Sequence, residues 1–225
     1  MSTLLLTCFG PFPGVPVNPS QAVAEGVRSA LAISAPHLTV DVRELPVEFV
    51  GSSRALDQAL RDVQPDLAVS LGVAAGRDKV SLERVAINLD SARIPDNAGT
   101  QLIDTSIQPE GPAAYFSTLP TREIFDRLAA QDLPIELSYT AGTYVCNHVF
   151  YELMHATAGS IPAGFIHIPL THPDTDGAAG AGPERPSVTA SADTGGVEGK
   201  NTPTLPEAQV IEIIEQAVLT TLAQL

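Results

Sequence analysis

Cys146, in the run Gly142-Thr143-Tyr144-Val145-Cys146-Asn147-His148, is the residue best placed for nucleophilic chemistry. It falls where a strand and a small-residue turn give way to an amphipathic helix. The first N–H groups of a helix have no intrahelical partner and carry partial positive charge. A thiolate is stabilised there, and the thiolate is the reactive form of cysteine. Such a nucleophile needs a base, and the base needs a group that orients it. His148 follows too closely: two residues on along a helix, its side chain points about 200° away. It belongs to packing or hydrogen bonding behind the helix start. His155 faces away for the same reason, His37 sits in a polar loop, and His172 heads a Gly/Ala-rich segment. His167, in Gly164-Phe165-Ile166-His167-Ile168-Pro169, points opposite to Ile166 and Ile168 near a strand end. Open α/β sheets place their sites at such carboxyl edges. The same spacing also suits a core histidine bonded to backbone. For the orienting carboxylate, Glu83, Asp90 and Asp96 compete, and spacing alone does not choose among them.

Other motifs narrow the chemistry. Gly72-Val73-Ala74-Ala75-Gly76 lacks both Gly-x-Gly-x-x-Gly and a Gly-Lys-Ser/Thr ending, so a nucleotide loop is not expected. There is no His-x-x-x-His or His-Glu-x-x-His pairing, so neither a metal nor a cofactor is expected. Phe9 and Phe12 flank Gly10-Pro11 at the end of the first strand. They read either as core or as the walls of an apolar slot for a small flat ligand.

The elements that must position these residues follow from periodicity. Strands are expected over Leu4 to Phe9, Leu38 to Leu45, Leu67 to Leu71, Arg84 to Leu89, Ile135 to Tyr139 and Gly164 to Pro169. Helices are expected from Asn18-Pro19 to about Ala32, and over Glu48 to Val63, Thr121 to Gln131, Cys146 to Ala156 and Pro206 to Leu225. Asp90 to Pro120 reads as irregular. The alternation implies an α/β fold: a three-layer α/β/α sandwich around a mostly parallel or mixed sheet. Thr171 to Thr204 is rich in Gly, Ala, Pro, Ser and Thr, and reads as a long flexible surface loop in an otherwise single domain spanning residues 1–225.

Composition bounds the partners. With 12 Lys+Arg against 26 Asp+Glu, the net charge of −14 disfavours nucleic acid and anionic membrane. No apolar run reaches spanning length, and Met1 to Thr7 reads as a first strand, since it carries no basic leader. Two cysteines, Cys8 and Cys146, are too few for a disulfide framework and point to a reduced, cytoplasmic chain.

Taken together, the motifs resemble those of the pyrrolidone-carboxylate peptidases, also called pyroglutamyl peptidases type I. The matching runs are Leu5-Leu6-Thr7-Cys8-Phe9-Gly10-Pro11-Phe12, Val17-Asn18-Pro19-Ser20, Glu83-Arg84-Val85-Ala86-Ile87-Asn88, Ala92-Arg93-Ile94-Pro95-Asp96-Asn97, Gly111-Pro112-Ala113-Ala114-Tyr115, Ser138 to His148, and Gly164 to Pro169. They occur in family order across residues 4–170. The resemblance implies a cysteine peptidase that removes an N-terminal pyroglutamyl residue through a thioester. By motif position it implies Cys146 as nucleophile, His167 as base and Glu83 as the orienting carboxylate. It further implies Arg93 near the catalytic centre, a lactam pocket drawn from Phe9, Phe12, Tyr144 and Val145, and Asn18 near the ring. Peptides with N-terminal pyroglutamate are the implied partners, and the implied assembly is a homo-oligomer, often a tetramer.

The chain departs from the pattern in four places. Cys8 replaces the glycine of Thr-Gly-Phe, Tyr144 replaces a phenylalanine, and the 171–204 segment is longer than usual. Val73 stands where relatives often have glutamine. If that glutamine's side chain held the lactam, Val73 weakens binding; if its backbone did, little changes. The functions set against the peptidase are a non-catalytic binder of lactams or peptide N-termini on the same scaffold, and a cysteine amidase for another small acyl group.

Overall fold

A computed structural model describes residues 2–12, 15–173 and 202–225. In chain order the elements are β1 (Ser2–Phe9), α1 (Pro19–Ser34), β2 (Leu38–Leu45), α2 (Phe49–Val63), β3 (Leu67–Val73), β4 (Val80–Glu83), β5 (Val85–Ile87), β6 (Ala114–Phe116) and α3 (Thr121–Ala129). There follow β7 (Ile135–Ser138), α4 (Val145–Thr157), β8 (Ala163–Ile168), β9 (Leu170–His172), β10 (Thr204–Pro206) and α5 (Glu207–Leu222).

The main sheet has the order β2-β1-β3-β8-β4-β7. The first four strands are parallel; β4 runs antiparallel to β8, and β7 runs parallel to β4. Side-chain alternation divides the interior into two layers. On one face Leu4, Leu6, Leu67, Val69, Leu71, Val80, Leu82, Ile166 and Ile168 pack under α1, α3 and α5. On the other, Leu5, Phe9, Ala68 and Phe165 pack under α2 and α4. This is the three-layer mixed α/β sandwich expected from the sequence.

The helix starts follow their local chemistry. Asn18 caps α1, its side-chain oxygen accepting from Ser20 N, and Pro19 opens the helix where its missing N–H costs nothing. The capping side chain also donates to Gly10 O at 2.9 Å, pinning the loop after β1.

Three expectations change. The strand expected at Arg84 to Leu89 is the shorter β5, Val85–Ile87, and a strand that was not expected, β4 over Val80–Glu83, precedes it. In β4 the polar partners of the alternation, Ser81 and Glu83, are fully buried rather than solvated, which hid the strand from a hydrophobic reading. The stretch Asp90 to Pro120 contains β6, paired antiparallel with β5. Of the expected loop at 171–204, the described ends belong to β9 and β10, which pair in parallel; residues 174–201 lie outside the described residues.

Candidate active site

The face beneath α2 and α4 carries the polar residues singled out above. Along β8, Ile166 and Ile168 face the first core layer, so His167 faces the second, beside Phe165. Along β4, Val80 and Leu82 face the first layer, so Ser81 and Glu83 face the second. Glu83 is the register partner of Phe165, and Ser81 of His167. Glu83 and His167 are therefore diagonal neighbours on one sheet face, within reach of each other. His167 Nδ1 lies 2.8 Å from Glu83 Oε1. That contact fixes the proton on Nδ1 and leaves Nε2 free to act as a base.

Cys146 comes to the same place from above. Tyr144 occupies the N-cap of α4 and provides no side-chain cap, so Cys146 sits in the first turn of the helix. Gly72, near the end of β3, is the register partner of His167. A methyl group placed on Gly72 would lie 3.1 Å from Cys146 Sγ. The sulfur thus lies against the glycine that is paired in register with His167, and a side chain at that glycine would meet Cys146 Sγ and the Phe165 ring. The Phe165 ring closes the floor, 4.8 Å from the His167 ring between centroids.

Glu83 is fully buried. A second donor meets it that the motifs did not reveal: Arg77 Nη1 donates to the same Oε1 at 2.8 Å. Burial pushes the carboxyl pKa up, but the His167 hydrogen bond and charge, then a Ser138 hydrogen bond and last the Arg77 charge, outweigh it and hold the group below its usual value. Glu83 is ionised at neutral pH, as an orienting carboxylate must be. Arg77 follows Gly76 in an otherwise unremarked loop; a lone arginine six residues before a glutamate carries no local signal.

The competing carboxylates are committed elsewhere. Asp90 Oδ2 lies 2.7 Å from His148 Nδ1, while His148 Nε2 meets Ser53 Oγ at 2.7 Å. This buried relay ties α2, α4 and the Asp90 segment together, and burial pushes the Asp90 pKa up. Asp96 accepts from the backbone N–H of Phe49, Ala98 and Thr100 at 2.8–3.0 Å, and so shapes its own loop.

The two thiols are on opposite sides of the sheet. Cys8 is fully buried in the first core layer. Burial, with the negative charges of Glu44 and Glu25, pushes its pKa up to about 12, so it has almost no thiolate at neutral pH. Cys146 is only partly buried.

The residues named for a lactam pocket divide. Phe9 is buried with its ring 6.4 Å from that of Phe165, and Phe12 packs partly buried against the same layer. Tyr144 and Val145 are buried at the helix start, with Tyr144 OH donating to Pro95 O at 3.1 Å. Val73 ends β3, one residue past Gly72. Asn18 spends its amide on the α1 cap and the Gly10 carbonyl. Arg93 is exposed; the cation that reaches the Glu83–His167 pair is Arg77. An open cleft lined by Arg84, Leu119, Thr121 and Arg127 lies against α3 and contains none of these side chains.

A profile of the pyroglutamyl peptidase family matches residues 2–200. The chain belongs to the pyroglutamyl peptidase family. It is 50% identical over 172 residues to pyrrolidone-carboxylate peptidase 1 of Ralstonia nicotianae, covering 75% of this chain and 79% of that one. It is 39% identical over 217 residues to the pyrrolidone-carboxylate peptidase of Bacillus cereus, covering 95% and 98%. The solved pyroglutamyl peptidase I of Bacillus amyloliquefaciens superposes with a TM-score of 0.82 at 35% identity, over 99% of this chain and 98% of that one. The pyrrolidone carboxyl peptidase of Thermococcus litoralis gives 0.82 at 33% identity, over 99% and 94%. Family membership makes this chain a cysteine-type peptidase of the α/β class.

Proposed function

We propose that this chain hydrolyses the amide bond that follows an N-terminal pyroglutamyl residue, using Cys146, His167 and Glu83. The observation that supports the roles is the His167–Glu83 hydrogen bond on the same sheet face where Cys146 Sγ lies over Gly72, the register neighbour of His167. Pyroglutamate has no charged amine, so recognition falls to shape and to lactam hydrogen bonds. Phe9, Phe12, Tyr144 and Val145 would wall the slot, with the backbone at Val73 and the Asn18 loop beside the ring.

In the reaction His167 Nε2 takes the Cys146 proton, and the thiolate attacks the scissile carbonyl carbon. The first-turn N–H groups of α4 face the developing oxyanion, where fixed dipoles act most strongly. The imidazolium then protonates the leaving amine as the C–N bond breaks, which leaves a thioester. Water, deprotonated by His167, attacks the thioester, frees pyroglutamate and restores the thiol. Glu83 keeps the imidazole in one tautomer throughout and stabilises its cation.

The test is a fluorogenic pyroglutamyl amide beside the matching prolyl amide. Turnover of the first alone, abolished in C146A, supports the proposal. Turnover of neither, or full activity in C146A, refutes it. A homo-oligomer in a reduced, cytoplasmic setting is part of the same reading. Phe116 and Tyr139 are exposed aromatic side chains that assembly would cover, and light-scattering mass checks the oligomer.

A further inference from the structure

We propose that Arg77 is a positioning residue for the thiol–imidazole pair: it clamps Glu83 to the loop that delivers Cys146 and balances the buried carboxylate's charge. This inference rests on the peptidase reading above. Three contacts carry it. Arg77 Nη1 and His167 Nδ1 donate to one oxygen, Glu83 Oε1, each at 2.8 Å. The other oxygen, Oε2, is buried with no hydrogen-bond partner among the described residues. Arg77 Nη2 donates to Thr140 O at 3.3 Å.

Thr140 links this clamp to the nucleophile. Its hydroxyl accepts from Gly142 N at 3.1 Å, and Gly142, at φ 80°, takes a left-handed turn that suits glycine. Tyr144 and Cys146 follow within four residues. One guanidinium thus spans the β3–β4 loop, the end of β4 and the approach to α4. Its planar fork can hold both acceptors at once, which an ammonium cannot match.

The electrostatic part follows from burial. A fully buried carboxylate is costly unless hydrogen bonds and a cation compensate it. The groups acting on it are His167 from β8, Ser138 from β7, whose hydroxyl hydrogen-bonds it, and Arg77 from the β3–β4 loop. Ser138 Oγ donates to Thr140 O at 3.2 Å, and Glu136 of β7 is occupied by Ser81 at 2.7 Å. Asp78 and Lys79 beside Arg77 point into solvent. Arg77 is therefore the compensating cation while His167 is neutral. Removing a cation favours protonation of every neighbour, so each nearby pKa rises.

The experiment compares the pH profiles of kcat/KM for wild type, R77M, R77Q and R77K. Alongside it, the rate of Cys146 alkylation by iodoacetamide is followed against pH, which needs no substrate. R77M and R77Q should lose roughly 10–100-fold in kcat/KM, as removal of an outer partner commonly does. Both limbs and the alkylation midpoint should move to higher pH, whereas R77K should keep the wild-type limbs with reduced kcat. R77Q serves if R77M does not fold. In an E83Q background R77M should cost less kcat/KM than it does in wild type, because the carboxylate that Arg77 clamps is gone. Full activity in R77M, or lost activity with limbs and midpoint unmoved, overturns the inference. So does an R77M loss in kcat/KM that is as large in the E83Q background as in wild type. If wild type does not turn over pyroglutamyl amides yet the alkylation midpoints shift as stated, the substrate assignment fails and the role of Arg77 stands.

Discussion

Gly72 offers the sharpest test of the site geometry. In G72A the new methyl would lie 2.6 Å from Phe165 Cζ, 2.9 Å from Phe165 Cε1 and 3.1 Å from Cys146 Sγ. To restore an ordinary contact of 3.4 Å the ring must retreat by about 0.8 Å. It has nowhere to go: Phe165 is fully buried, with the rings of Phe9 at 6.4 Å, Phe150 at 5.8 Å and His167 at 4.8 Å. Overpacking of this kind costs about 1–3 kcal/mol. For a chain of this size that lowers Tm by roughly 2–12 °C. The strain is shared with Cys146 and His167, and displacement of reacting groups by about 1 Å costs on the order of 100-fold in rate. The assays are a thermal melt and kcat/KM on a pyroglutamyl amide. The double variant G72A/F165L, which returns space to the ring side, should regain part of the lost Tm. A G72A protein with wild-type Tm and kcat/KM within about twofold would show that the sulfur and Phe165 do not crowd this glycine.

The remaining predictions concern the thiols, the α1 cap and acid stability. Iodoacetamide at pH 8 should label Cys146 and leave Cys8 unlabelled in the folded protein, and C8A should keep kcat while C146S loses it; mass spectrometry of labelled peptides reads the first and turnover the second. N18A should destabilise by at least about 1–2 kcal/mol, because it removes a helix cap along with the Gly10 tether; urea titration measures it. Glu83 has a folded pKa below its reference of 4.5, so its contribution to stability is fully present above about pH 4.5 and is lost as pH falls through the lower folded value. The wild-type advantage over E83Q in Tm should accordingly shrink on acidification through that window, and a difference that stays constant down to pH 2 would contradict it.

Local chemistry made much of this molecule legible in the chain. The apolar run of β1, the Asn18-Pro19 helix start and the turn into α4 each depend on neighbours a few residues away, so they were visible without coordinates. The placement of Cys146 at a helix start followed from the same short-range signals, and the order of the motifs pointed to the family. Packing decided what the spacing left open. Spacing left Glu83 one of three carboxylates and only the family resemblance favoured it; the reversal of β4 sets it diagonal to His167, while Asp90 and Asp96 turn to His148 and to backbone. Arg77 became visible only as a partner of that buried carboxylate. Gly72 acquired meaning from what lies above it. In each case the deciding contact joins residues distant in sequence through strand register and helix docking, and no pattern along the chain encodes which faces will meet.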